Sequence, residues 1–134
     1  MGELIITGDV EGAAVTFLRT GLSSLGKSAT VATKVPSTMP ASMVRVSLTG
    51  GTRENVVTDR PQLTVECWAP DTVAASDLAR TCHGLMHSAA GFTVGTVWVR
   101  RAEDIGGVQF FPDHDTAKPR YQFTVRWFVR GTAF

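Results

Sequence analysis

The segment Tyr121-Gln122-Phe123-Thr124-Val125-Arg126-Trp127-Phe128-Val129-Arg130 constrains the fold more than any other part of the chain. Tyr121, Phe123, Val125, Trp127 and Val129 fall on one side of an extended backbone, and Gln122, Thr124, Arg126 and Arg130 on the other. Successive side chains of a pleated strand point to opposite faces, so this order predicts a half-buried strand with one wet face. Phe128 departs from the alternation and sets an aromatic ring among arginines. Such a face has the makeup of a surface that meets another protein.

At 134 residues, with 43% hydrophobic and 19% charged, the chain has the size and composition of one globular domain over residues 1–134. A formal net charge of +1 gives no global pull toward nucleic acid or anionic membrane. The charge is uneven: Lys118, Arg120, Arg126 and Arg130 follow one another without a carboxylate, just after Asp113 and Asp115. That asymmetry suits a charge-complementary subunit contact, and equally a solvated strand face. No apolar run reaches the roughly 18 residues of a membrane span, so no membrane contact is expected. Met1-Gly2-Glu3-Leu4 carries no basic leader, and no secretory signal is expected. Cys67 and Cys82, on a predicted strand and a predicted helix, read as buried reduced thiols.

Along the chain, the spacing of Val10, Ala14, Phe17, Leu18, Leu22 and Leu25 predicts a helix from about Val10 to Leu25, capped by Asp9 and stopped at Gly26. Gly21 lies on the same stripe, where glycine signals close packing. Strands follow at Ala29 to Val35, Met43 to Thr49 and Gln62 to Ala69, with Pro36 and Pro40 between the first two and a loop from Gly50 to Asp59 between the others. A second helix spans about Val73 to Ala89, capped by Asp71 or Thr72, with Ala74, Leu78, Cys82, Leu85 and Ala89 inward. Two strands, Thr93 to Arg101 and Val108 to Pro112, are joined by a turn at Asp104-Ile105-Gly106-Gly107. The order is α-β-β-β-α-β-β-β. Links too short for parallel crossovers predict an α+β fold, a mainly antiparallel sheet with two helices packed on one face.

Catalytic patterns are weak. His83 and His87 share a helix face and suit a metal, but a zinc site needs a further convergent ligand. His114 lies in a remote loop between Asp113 and Asp115, a composition that also fits a solvated turn. No G-x-S-x-G elbow is present. Cys82 and His83 splay apart as helix neighbours. Gly50-Gly51, Gly106-Gly107 and Gly26-Lys27-Ser28 lack the context of a phosphate loop. Glu66 with Glu103 or Asp104 is a conceivable carboxylate pair, and Glu66 is more simply one half of a cross-strand ion pair with an arginine such as Arg126. Arg126, Phe128 and Arg130, with Arg100-Arg101, interleave charge and rings too weakly for nucleic-acid readout. No enzyme activity, cofactor or bound metal is expected, with a small metal-dependent hydrolase as the minor alternative.

The chain resembles the tail terminator (tail completion) proteins of long-tailed bacteriophages, particularly of actinobacterial phages. The likeness covers most of the chain: the N-terminal helix; Val44-Arg45-Val46-Ser47-Leu48 ending at Gly50-Gly51; Asp59-Arg60-Pro61-Gln62-Leu63-Thr64-Val65-Glu66-Cys67-Trp68-Ala69 running into an alanine-rich helix with Leu78-Ala79; and Pro119-Arg120-Tyr121-Gln122-Phe123-Thr124-Val125 before an arginine-bearing strand closing at Gly131. Head-closure and neck proteins share this texture, leaving a head–tail neck or stopper adaptor as the alternative.

The resemblance implies a non-enzymatic homohexameric ring in the virion's tail-neck region, made in the bacterial host cytoplasm. It would cap the head-proximal end of the tail tube, end tube polymerisation and dock the head connector or stopper protein. Genomic DNA would pass through its lumen unread. The family supplies no catalytic residues, so the interface is assigned from chemistry: Glu66, Trp68, Arg126, Phe128 and Arg130 on the strand face, with Trp68 and Phe128 equally suited to packing beneath a helix, and Arg53 and Glu54 in a loop that is a candidate for docking onto tube or connector.

Overall fold

A computed structural model describes residues 4–55 and 57–133. The fold is α+β, as the sequence predicts, with two helices against one face of a curled sheet. In chain order its elements are β1 (Ile5–Ile6), α1 (Val10–Ser24), β2 (Thr30–Ala32), β3 (Met43–Arg53), β4 (Thr58–Trp68), α2 (Thr72–Ser88), β5 (Phe92–Val94), β6 (Val97–Phe110), β7 (Arg120–Arg130) and β8 (Thr132–Ala133). Six strands form one sheet in the order β2-β3-β4-β7-β6-β5, and β1 pairs separately with β8.

Each helix starts where a carboxylate meets its free amides. Asp9 accepts from the Gly12 amide at 2.9 Å and Asp71 from the Ala74 amide at 2.8 Å. Ala14, Leu18 and Leu22 of α1 and Leu78, Ala79, Cys82 and Met86 of α2 are buried against the inward residues of the sheet. Those residues include Val44 and Val46 on β3, Leu63 and Val65 on β4, and Phe123, Val125, Trp127 and Val129 on β7. The two helices meet at Gly21, where a Cβ would stand 2.8 Å from a Leu85 methyl, so the packing role expected of this glycine holds. Leu25, expected on the buried stripe, is exposed instead, because the helix ends at Ser24 and Leu25 is its C-cap.

Three other expectations change. The proposed turn at Asp104-Ile105-Gly106-Gly107 does not exist; β6 runs through it, paired with β7 from Trp98↔Arg130 to Phe110↔Tyr121. The chain reverses earlier, at Gly95-Thr96, where Gly95 adopts φ 59° and joins β5 to β6. Register shifts fall between Val99 and Arg101, between Asp104 and Gly106, and between Gly106 and Gln109. These irregularities interrupt the alternation that would otherwise mark the strand in the sequence.

The segment 50–59 is likewise not an open loop. β3 and β4 continue pairing to Arg53↔Asp59, leaving only a tight tip, where Asn55 Oδ1 accepts from the Val57 and Thr58 amides at 3.0 Å. Finally, β2 and β3 run parallel although no helix joins them. The proline-bearing stretch between them makes the crossover, and Arg19 caps the short strand by donating to the Val31 carbonyl at 2.8 Å.

Candidate functional site

The face of the sheet away from the helices divides into a closed half and an open half. At the closed end, β4 presents Glu66 and Trp68, both expected to be outward and accessible. They do face away from the helices, yet Trp68 is 2% and Glu66 7% exposed. The segment after β6 supplies the nearest cover: the Trp68 indole N–H donates to Asp113 Oδ2 at 2.9 Å, and Arg120 reaches back to the Phe111 carbonyl at 2.9 Å.

Glu66 binds two arginines at once, accepting from Arg45 Nε at 2.8 Å and from Arg120 Nη1 at 3.0 Å. Both guanidinium groups also lie over the Trp68 ring, at 5.7 and 5.6 Å from its centroid. The expected partner, Arg126, pairs instead with Glu103, its register neighbour on β6, at 3.4 Å. Burial works to raise the Asp113 carboxyl, but bonds from the Trp68 indole, the Asp115 amide and the Thr116 hydroxyl, with the nearby Arg120 charge, hold it below the ordinary range. Burial, then the neighbouring Cys82 thiol and the charge of Glu66, push the Cys67 thiol well up, away from the reactive thiolate.

Mid-sheet, the hydroxyls of Thr49, Thr64 and Thr124 form a ladder at 3.0 and 2.9 Å. Beyond it, Phe128 is 2% exposed, with the Arg101 guanidinium 4.0 Å from its centroid. Sequence reasoning leaves this ring either at the surface or beneath a helix; in the fold it is buried and an arginine covers it. An accessible aromatic on this face is Trp98, 40% exposed and directly opposite Arg130. Trp98, Arg100 and Arg130 line one groove with Val57 and Thr58. Glu54, at the hairpin tip, lies 3.6 Å from Arg100. Arg53 bonds Asp59 at 2.9 Å and the Ile5 carbonyl at 3.1 Å, tying the hairpin to β1. Arg126 Nε is buried without an acceptor among the described residues. The structure therefore gathers Glu54, Arg126 and Arg130 toward the open half, adds Trp98, Arg100 and Arg101, turns Arg53 toward β1 on the other face, and takes Glu66, Trp68 and Phe128 into the interior.

A separate cluster lies at the exposed border of α2. His83 Nε2 and His87 Nε2 approach the same oxygen, Asp104 Oδ1, at 2.7 and 2.9 Å. Hydrogen bonds from His83 and then His87 hold the Asp104 carboxyl below its ordinary value. His114, the third histidine, takes no part and lines a shallow concavity with Asp113, Lys118 and Phe110. Residue order gives Asp104 no place beside the histidines, because its stretch reads as a turn. The signal that finds it is the histidine pair together with an acid on the strand packed beside that helix.

No protein-family model matches the chain, and comparison with curated proteins gives no match. Among the described residues no helix is long and apolar enough to cross a membrane.

Proposed function

We propose that this chain is a structural virion protein of the tail terminator type. Copies join head to tail into a ring that caps the head-proximal end of the tail tube, stops its polymerisation and docks the head connector. The observation that carries this reading is the open end of the sheet, where exposed Trp98 shares a groove with Arg100 and Arg130. Tryptophan and arginine dominate the binding energy of protein interfaces, and a tryptophan left this accessible in a groove with two arginines is suited to a partner.

A head-to-tail ring needs two different complementary patches on every copy. A second patch is available around the groove of about 280 Å3 lined by Thr7, Leu48, Gly51 and Pro61, where Leu48 and, nearby on β1, Ile6 are exposed. The sequence resemblance supplies the particle and the position within it. The interface chemistry supplies the residues.

The reading is tested by co-sedimentation with tubes assembled from the tail-tube protein of the same particle. The wild-type chain is expected to pellet with tubes in proportion to the number of tube ends. Trp98→Ala is expected to weaken this by about 2 kcal/mol, roughly thirtyfold, and Arg130→Glu to abolish it. Tubes that grow unchecked in the presence of the chain, or variants indistinguishable from wild type, would contradict it.

A further inference from the structure

The geometry points to a second site, a single divalent transition-metal site formed by His83, His87 and Asp104. The two histidines lie one turn apart on α2 and so share a face. One ring nitrogen of each histidine and an oxygen of Asp104 all fall within 4.8 Å of one another. Zinc bonds nitrogen and oxygen ligands at about 2.0 to 2.2 Å, which in tetrahedral geometry sets ligand atoms about 3.4 Å apart. The cluster thus reaches a coordinating arrangement by small side-chain rotations with no backbone movement.

The rings are already oriented. His83 stands edge-on to Phe123, with centroids 5.1 Å apart and planes at 89°, and packs against His87 at 4.7 Å and 63°. Phe123 is a fully buried core residue of β7, so the helix-borne pair is seated on the rigid centre of the sheet. Asp104 comes from the neighbouring strand, directly opposite inward-facing Val125. The register shift between Val99 and Arg101 makes this possible. One extra residue there reverses the alternation of β6, so Arg101 and Glu103 face away from the helices while Ala102 and Asp104 face toward them.

Two imidazoles and one carboxylate match zinc, cobalt or nickel; magnesium and calcium prefer all-oxygen sites. Three protein ligands leave a fourth position to solvent. An ion held there would brace α2 against β6 and stabilise the folded chain by mass action.

The experiment uses the full chain, free of any histidine tag and stripped with a chelator, titrated calorimetrically with zinc chloride and spectroscopically with cobalt chloride. One ion per chain is expected, with visible cobalt absorption of a four-coordinate nitrogen–oxygen site and a rise in thermal midpoint that magnesium does not reproduce. His87→Ala and Asp104→Asn should each weaken binding by at least about tenfold, since even an outer-shell partner is worth that much. His114→Ala should leave it unchanged. Because Asp104 is exposed, Asp104→Asn is expected to keep the native circular dichroism, and the cobalt spectrum of the unmutated chain reports the ligand set independently of any variant. Absence of binding, or binding that survives both His87→Ala and Asp104→Asn, overturns the assignment.

Discussion

Replacing Trp127 with alanine is expected to lower the thermal midpoint by more than about 10 °C, the largest effect of any single truncation in the sheet. Trp127 is fully buried on β7, and its indole N–H donates to the Met86 carbonyl near the end of α2 at 3.0 Å. Truncation removes the ring from a packed core and also strands a buried carbonyl. Tryptophan-to-alanine changes in cores cost about 3 to 5 kcal/mol, and an orphaned acceptor about 1 to 3 kcal/mol. Trp127→Phe separates the two contributions, because it keeps most of the volume and loses only the hydrogen bond. Urea unfolding should rank wild type above Trp127→Phe above Trp127→Ala; equal midpoints for the last two would show that packing around this ring matters little.

Glu66→Ala is expected to cost about 2 to 4 kcal/mol, because it leaves Arg45 and Arg120 without the carboxylate that joins them. The cost stays below that of a fully buried pair because the Arg45 side chain is 36% exposed. Removing one member of a buried ionic cluster is more damaging than removing both sides, since it leaves a desolvated charge behind. The double variant Glu66→Leu with Arg120→Met should therefore be more stable than Glu66→Ala alone. Added salt should change the Glu66 effect only weakly, as screening acts little on a shielded cluster. The exposed Lys27–Asp77 pair at 2.6 Å is the natural control: Lys27→Ala should cost no more than about 1 kcal/mol. Denaturant midpoints at low and high salt measure both, and a strongly salt-dependent Glu66 effect would show the cluster to be solvated.

Much of the fold is legible in residue order because burial imposes a period. The inward positions of β7, the capping by Asp9 and Asp71 and the packing glycine Gly21 all follow from local rules that the tertiary structure leaves intact. The misread parts are those where a distant segment intervenes. Trp68 and Glu66 occupy wet-face positions, yet the segment after β6 covers them, and no periodicity in β4 announces that cover. Phe128 is buried by Arg101, a neighbour only once β6 has paired in register with β7. Asp104 looks like a turn residue because the irregularities in β6 break its alternation, and the adjacent glycines suit a hairpin. The exposure of Trp98 is hidden from the sequence in the same way, since it depends on lying opposite Arg130 at the end of the sheet.

Trp68 and Phe128, the rings that residue order offers to the contact surface, are buried, whereas Trp98, which it does not single out, is accessible. Electron cryomicroscopy of tail tubes assembled in the presence of this chain tests the functional proposal most directly. The predicted image is a single ring of this protein at one end of each tube, with Trp98 and Arg130 buried between adjacent copies. Bare tube ends, or a bound chain whose Trp98 and Arg130 remain in solvent, would contradict it.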